Sequence, residues 1–455
     1  MVLKRQIVQL ILIFSTLIML LFPILYLNDF STVITSMIGL FYIAVFLFFL
    51  LFIMTYFIEK IKITPLLVFM IILVGYYVLG LLPISEYRSE NINTAIWTKY
   101  ILITLCGLFF GRLISLAFLK KPQKKIVIFS IRKKLFQVTM LLIIFLSIFI
   151  NLKFNFPIIN PNSRFLVPAT LQYIIEFSIP ILICYIAINI KDKDKSKKIV
   201  VAYLLGIFLL LSIGYRNQII IFTISTLVIY FSLYLNVLLK GKNLFKLSTR
   251  IGVSLFLTCC LVLFSILFIV RQENSIELLP WSDFVYRYKV VAYQYILPIF
   301  PVHLSAREAI GVTNIALERK DQIATLLEGT PYFFKDILTL LPGEQLTSGQ
   351  ITGRAVNLSE NTSLTVGIMG GFILSGGIWS LFIGFTIISF LLSYFWGSYL
   401  KNKNIQQLII TSLLLSYSLE LMNRGIFKPM YILVFILPLI FLKKEVKNNE
   451  NNSSN

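Results

Sequence analysis

The side chains best suited to catalysis are concentrated in one long polar segment, residues 271–363. It contains the chain's one histidine, His303, whose imidazole titrates near neutral pH and suits a general base. Four of its five arginines are further candidates, because the planar guanidinium donates two parallel, charge-assisted hydrogen bonds to a phosphate group. These are Arg287, Arg307, Arg319 and Arg354. The alternative for each is structural: a surface or capped histidine, and arginines that are solvated or paired with a neighbouring acid.

Two further arginines are more specific, because each lies between two apolar runs. Arg216 occurs in the sequence SIGYRNQII and Arg424 in LELMNRGIFKP. An arginine near hydrocarbon is costly and usually marks a pathway or the counter-charge of a ligand, unless its side chain reaches back to the interface. Glu176 and Glu420 lie within apolar runs and are candidate partners. We predict catalytic roles for His303, Arg216 and Arg424. Glu420 and the four candidate arginines of the polar segment are predicted to bind substrate.

Other catalytic signatures are missing from the sequence. It has no HExxH, GxSxG or P-loop motif and no cluster of cysteine and histidine. The four cysteines all fall within apolar runs, which indicates packing residues; they are Cys106, Cys184, Cys259 and Cys260. The sequence therefore predicts no disulfide, no metal site and no cofactor.

The composition is that of a polytopic membrane protein. Hydrophobic residues make up 58% of the chain, the mean hydropathy is +0.87 and 13% of residues are charged, whereas soluble domains carry about 25% charged residues. A helix needs about 20 apolar residues to span a bilayer. This criterion predicts twelve spans: residues 7–27, 33–58, 64–83, 97–119, 135–150, 169–190, 199–213, 218–239, 251–270, one within 364–400, 406–421 and 426–442. The predicted fold class is therefore all-α, with about 12 transmembrane helices and one large extracytoplasmic loop.

The spans divide the chain into four parts. These are nine helices in residues 1–270, the loop in 271–363, three helices in 364–442 and a polar tail in 443–455. The stretch that holds the tenth span is too long for one simple helix, so Ser375-Gly376-Gly377 is predicted to separate a short entry helix from the span. In the loop, residues 305–327 have a helical pattern and 332–341 a short amphipathic one. The loop is therefore predicted to be a folded cap on the membrane.

The net charge of +21 is explained by topology. Connectors on the cytoplasmic side of a membrane are enriched in Lys and Arg. With a cytoplasmic N-terminus, most of the 41 Lys and Arg residues fall on the inner side and most acidic residues on the outer side. Both termini are thus predicted to be cytoplasmic and the loop extracytoplasmic. The positive inner face is expected to contact anionic membrane lipids, and we predict no binding of nucleic acid.

Several landmarks occur together along the chain. The turn Gly214-Tyr215-Arg216 joins two mid-chain spans, and one dominant outer loop precedes the last spans. The loop leads through LPGEQLTSG and NTSLTVGIMGGFILSGGIWSLFIG into a glycine-rich span, and Arg424-Gly425 precedes the final span. In these features the chain resembles the Wzy-type polymerases of O-antigen and other oligosaccharide repeat units. It departs from some members in that no arginine is followed by a glycine eleven residues later, which leaves the loop's binding residues unassigned by the resemblance.

The resemblance implies a GT-C-like polymerase or ligase architecture in the cytoplasmic (inner) membrane of a bacterium. The implied activity makes lipopolysaccharide or capsule polymer: a growing glycan is transferred from undecaprenyl diphosphate onto a lipid-linked repeat unit at the outer face. Arginines would neutralise the leaving diphosphate and a base would activate the acceptor hydroxyl. The implied protein partners are a flippase and a chain-length regulator. The alternatives are an O-antigen ligase, a repeat-unit flippase or other transporter, and a non-enzymatic assembly protein.

Overall fold

A computed structural model describes most of the chain between Thr64 and Val446. The described residues are 64–82, 85, 87, 92–119, 127–155, 157, 163–190, 196–214, 216–238, 286, 288–290, 300–340, 346–356 and 363–446. The first, second and ninth predicted spans, residue Arg287 and the end of the polar tail lie outside these ranges.

The described chain is mostly helical. Its α-helices are α1 (Pro65–Leu81), α2 (Thr94–Phe118), α3 (Lys133–Lys153), α4 (Ala169–Glu176), α5 (Ser178–Asn189), α6 (Ser196–Leu211), α7 (Arg216–Leu238), α8 (Phe300–Glu318), α9 (Lys320–Leu327), α10 (Ser348–Ala355), α11 (Gly367–Asn402), α12 (Ile405–Arg424) and α13 (Met430–Phe441). Short 3₁₀ helices at Ser163–Leu166 and Tyr332–Leu340 lie in the connections.

Five helices in the described ranges are long and apolar enough to cross a membrane. They are α2, α3, the continuous segment Thr170–Asn189 made up of α4 and α5, α11 and α12. Shorter apolar helices occur at α1, in Asn217–Leu233 of α7 and at α13. Large apolar side chains of α3 are exposed, with Leu141 and Phe145 both 67% accessible, as expected of a face in contact with lipid. The prediction of a helical membrane protein is confirmed.

Helix α11 is broken where the glycine pair predicts a separation. Gly377 has φ +66° and ψ −150°, outside the helical region, and glycine adopts such a positive φ at little cost. The residues before the break are largely buried, whereas Trp379, Ile383 and Ile387 beyond it are 76%, 53% and 52% exposed. The break therefore separates a half-helix inside the protein from a span whose outer face is apolar and open.

Residues 300–340 and 346–356 of the loop are folded, as the sequence predicts, and are called the cap here. The predicted helix 305–327 is divided at Arg319 into α8 and α9, and the amphipathic segment forms the 3₁₀ helix Tyr332–Leu340. Helix α8 packs against α1, which ties the cap to the membrane helices. A second, smaller apolar core includes Val312, Ile323, Tyr332 and Ile351 of the cap and Ile426 from the connector after α12.

A small sheet departs from the all-α prediction. Strands β1 (Val127–Ile131) and β2 (Leu442–Val446) pair antiparallel, with Ser130 opposite Lys443. Residues 443–446, predicted as part of a polar tail, are therefore a paired strand. The pairing requires the connector after α2 and the segment after α13 to lie on the same side of the helices, which is also what the predicted topology demands.

Candidate functional site

The site centres on Glu420, one turn before the end of α12. Its Oε1 accepts a hydrogen bond from Lys428 Nζ at 2.7 Å and lies 3.3 Å from Arg424 Nε. Its Oε2 accepts a bond from the Tyr431 hydroxyl at 3.0 Å. The Glu420 side chain is 3% exposed, while those of Lys428 and Arg424 are 13% and 26% exposed. A buried carboxylate therefore holds two cations that are more accessible than itself.

The chain reaches this arrangement because α12 ends at Gly425. This residue has φ +64°, and its amide donates to the carbonyl oxygen of Leu421 at 2.9 Å, as in a left-handed helix cap. Its Cα also lies so close to the backbone of Gly367 that a side chain has no room. The turn brings Lys428 back towards α12. Arg424, in the last turn of the helix, lies near the negative end of its dipole.

A second buried carboxylate, Glu176 at the end of α4, lies beside the first. Gln218 Nε2 in α7 donates to Glu176 Oε1 at 2.6 Å, and both side chains are buried. Lys428, Glu420 and Arg424 all interact electrostatically with Glu176. Helices α4, α7 and α12 and the connector that carries Lys428 thus bring two carboxylates and two cations together. Ionisable side chains among membrane helices are rare and mark functional sites by default.

Tyrosines surround these charges. Tyr173 interacts electrostatically with Glu176 and Arg424, and the rings of Tyr417 and Tyr431 lie 5.1 Å apart. The Tyr417 hydroxyl is buried and makes no hydrogen bond within the described part of the chain. A buried hydroxyl without a partner costs free energy, so this group is suited to bonding a ligand or a water molecule.

An apolar cavity of about 550 Å³ adjoins the charged cluster. Tyr417 and Tyr431 belong to its wall, so the cavity meets the cluster at the phenolic ring whose hydroxyl bonds Glu420. Aromatic side chains of the cap, Phe333 and Phe334, cover one end. The remaining lining comes from both sides of the break in α11, from the facing surfaces of α12 and α13, and from Phe427 in the connector between them. This volume is typical of a small-molecule site.

Two of the residues that the sequence singles out, Glu420 and Arg424, are brought into direct contact. Arg216 is the first residue of α7, two residues before Gln218, so its backbone lies at the helix end that meets Glu176. The cap also reaches α12, because the Ser305 hydroxyl donates to Asn423 Oδ1 at 3.0 Å.

His303 and Arg307 are held by α8 against the end of α1. His303 is 0% exposed, and its Nδ1 lies 2.7 Å from the carbonyl oxygen of Leu79, so the proton is assigned to Nδ1. Arg307 Nη1 donates to the carbonyl oxygen of Gly80 at 2.9 Å. Both side chains bond carbonyls in the last turn of α1, where partners within the helix run out. Burial lowers the pKa of the His303 imidazole, so the ring is neutral near pH 7. Its role as a base stays a prediction.

The other predicted binding residues lie in the cap. Arg319 is exposed at the junction of α8 and α9, and Arg354 is partly buried in the last turn of α10. Their roles in binding also stay predictions. Within the described ranges, no group of three or more His, Cys, Asp or Glu residues is placed to hold a metal ion.

Sequence reasoning missed Lys428, Tyr431 and Gln218. The predicted last span, 426–442, was wrong at its start, because α13 begins at Met430 and Lys428 lies in the connector before it. The available signal was a lysine four residues after Arg424 in an otherwise apolar stretch. No local pattern indicated the Gln218 contact, because its partner is 42 residues away.

Comparison with known proteins finds no relative of this chain. No protein-family model, curated protein or solved structure matches the chain. Any function must therefore be argued from the residues themselves.

Proposed function

We propose that this chain is a membrane glycosyltransferase that polymerises oligosaccharide repeat units carried on undecaprenyl diphosphate. The observation that carries the proposal is the pair of cations Arg424 and Lys428, fixed by buried Glu420 at the end of a membrane helix. A lipid diphosphate presents two phosphates at the end of a hydrocarbon chain, so it needs fixed positive charge beside an apolar region. The resemblance to Wzy-type polymerases supports the same assignment, at the outer face of a bacterial cytoplasmic membrane.

The proposed reaction uses this charge on the leaving group. The acceptor hydroxyl of a new repeat unit attacks the anomeric carbon of the growing glycan, and the bond from that carbon to the diphosphate oxygen breaks. Negative charge develops on the diphosphate, and Arg424 and Lys428 stabilise it. Glu420 bonds or pairs with three neighbouring groups, so its role is to orient the cations.

The hydroxyl proton passes to a base in this reaction. Glu176 is the carboxylate that we assign to this step, because it is buried in the same cluster as the two cations that would hold the leaving group. Gln218 holds one of its oxygens, which would orient the other towards an acceptor. His303 is the alternative base that the sequence suggests.

Gel analysis of the surface glycan after deletion of this chain tests the proposal. Loss of a polymerase leaves single repeats on the acceptor, loss of a ligase leaves polymer on the carrier lipid, and loss of a flippase leaves no glycan at the surface. Complementation with Glu420→Gln, which keeps the side-chain size and removes the charge, is expected to give mainly single repeats. Long glycan in the deletion strain would refute the proposal.

A carrier of lipid-linked oligosaccharide is the second candidate, and the break in α11 favours it. Transporters often use discontinuous membrane helices beside ionisable residues, and the break at Gly376 and Gly377 adjoins the cavity. Purified protein in liposomes distinguishes the two. A carrier moves the lipid-linked glycan between leaflets, whereas a polymerase lengthens it without moving it.

A further inference from the structure

The apolar cavity beside the charged cluster is open towards the lipid-facing side of α11. Three of its lining side chains are about half exposed: Phe334 at 46%, Ile383 at 53% and Ile387 at 52%. Ile383 and Ile387 lie on α11, which is long and apolar enough to span a membrane. A cavity with this opening can be entered sideways from a bilayer.

The cavity is elongated along the helices. Beyond the break in α11, its lining runs from Ser380 to Leu391, which corresponds to about 16 Å of helix axis. On α12 it runs from Leu414 to Leu421, and on α13 it includes Tyr431 and Phe435. Such a shape suits an extended chain better than a compact ligand.

The two ends of the cavity differ in chemistry. At one end Tyr431 contributes its ring to the wall and its hydroxyl to Glu420, which also holds Lys428 and Arg424. At the other end the lining residues Leu391, Leu414 and Phe435 are apolar. A ligand with hydrocarbon along the cavity could therefore place an anionic headgroup near Arg424 and Lys428.

We propose that this cavity binds the isoprenoid chain of the lipid diphosphate, with the chain entering from the bilayer between α11 and α13. This inference rests on the proposed function for the identity of the lipid. The diphosphate then lies at Arg424 and Lys428, and the first isoprene units lie against Ile383 and Ile387. The volume of about 550 Å³ admits a segment of one chain, and the rest of the chain extends into the bilayer.

Photolabelling of the full-length protein in nanodiscs tests the proposal. The probe is undecaprenyl diphosphate with a diazirine in its isoprenoid chain, and labelled residues are mapped by mass spectrometry. Labels are expected on the cavity-lining residues of α11 and α12. Ile387→Trp fills the cavity from its open side and is expected to lower labelling at least about tenfold, because it displaces several hydrocarbon groups of the chain.

Ile436→Trp is the matched control. Ile436 is 41% exposed on α13 and does not line the cavity, so labelling should stay at the wild-type level. Ile383→Trp provides a second test of the cavity, and gel filtration identifies any variant that fails to fold. Labels spread evenly over lipid-facing helices, or equal losses in Ile387→Trp and Ile436→Trp, would overturn the proposal.

Competition identifies the occupant. Unlabelled undecaprenyl diphosphate should displace the probe, whereas phosphatidylglycerol, which also has an anionic headgroup, should displace it far less. Equal displacement by both would overturn the proposal, because the cavity would then accept ordinary acyl chains. The assay involves no glycan and no turnover. Specific labelling of a protein that fails the glycan test would leave the lipid site standing and refute only the polymerase.

Discussion

At the scale of single residues, the end of α12 carries the proposed chemistry. Arg424→Ala removes one of the two cations that Glu420 holds, and we expect polymerisation to fall about 10²–10³-fold, as for the loss of one charge-stabilising donor. Arg424→Lys should also be impaired, because lysine keeps the charge but lacks the planar fork. Glycan length and amount per molecule of folded protein are the measurements.

Arg132→Ala is the matched control for this variant. Arg132 is exposed next to β1, and its backbone amide rather than its side chain bonds Phe441. It should therefore support wild-type glycan. If Arg424→Ala also did so, the Arg424 side chain would merely be reaching the interface, and its place in the site would be withdrawn.

A pH experiment tests the structural role of His303, and the same variant then tests its predicted role as a base. Burial lowers the pKa of its imidazole in the folded state. In the unfolded chain the imidazole has a pKa of about 6.5, so below that pH the unfolded state binds more protons than the folded state. The folded state should therefore lose stability as the pH falls through about 6.5. His303→Asn keeps a side-chain N–H for the carbonyl of Leu79 but does not titrate, so its thermal stability should fall less between pH 7.5 and 5.5.

The base role makes a different prediction for the same variant. His303→Asn would then lose glycan synthesis at pH 7 with its thermal stability unchanged. That result would contradict a packing role and return His303 to the reaction.

At the scale of elements, the turn after α12 decides whether the charges meet. Gly425 combines a positive φ with backbone contact to Gly367, so Gly425→Ala must both strain the turn and push α11 away. We expect a large loss of folded protein, or folded protein with little activity because Lys428 is displaced. Thermal unfolding in detergent and glycan length measure the two effects.

Gly329→Ala isolates the effect of backbone strain. Gly329 also has a positive φ, +79°, but nothing lies within 4 Å of a side chain added there. Its cost should be limited to the strain of a left-handed residue, about 1–2 kcal/mol. Equal destabilisation by the two variants would show that the contact between Gly425 and Gly367 is unimportant.

The elements that could be predicted from sequence are those with local signals. Apolar length predicts the membrane helices, the pair Gly376-Gly377 predicts the break in α11, and the periodicity of 305–327 predicts helix in the cap. Part of the site could also be predicted, because Arg424 and Glu420 are charged residues that lie one helical turn apart. Contacts between distant segments gave no local signal: His303 bonds Leu79 across 224 positions, and β1 pairs with the end of the chain.

At the scale of the whole molecule, the proposed reaction requires a particular orientation in the membrane. The cap must lie outside, where lipid-linked glycan is presented, and the β1–β2 sheet must lie in the cytoplasm. The sheet restricts the possible orientations. Arg132 directly follows β1 and Lys443 belongs to β2, so both residues must lie on the same side of the membrane.

Cysteine labelling in intact cells measures that orientation. Gln322, Arg132 and Lys443 are exposed, so a cysteine at each can react with a thiol reagent that does not cross membranes. Gln322→Cys in the cap should react in intact cells above the background of the wild-type chain. Arg132→Cys and Lys443→Cys should react only after permeabilisation. The reverse pattern would place Arg424 and Lys428 at the cytoplasmic face, where flipped repeat units are absent, and the proposed polymerase would have to be abandoned.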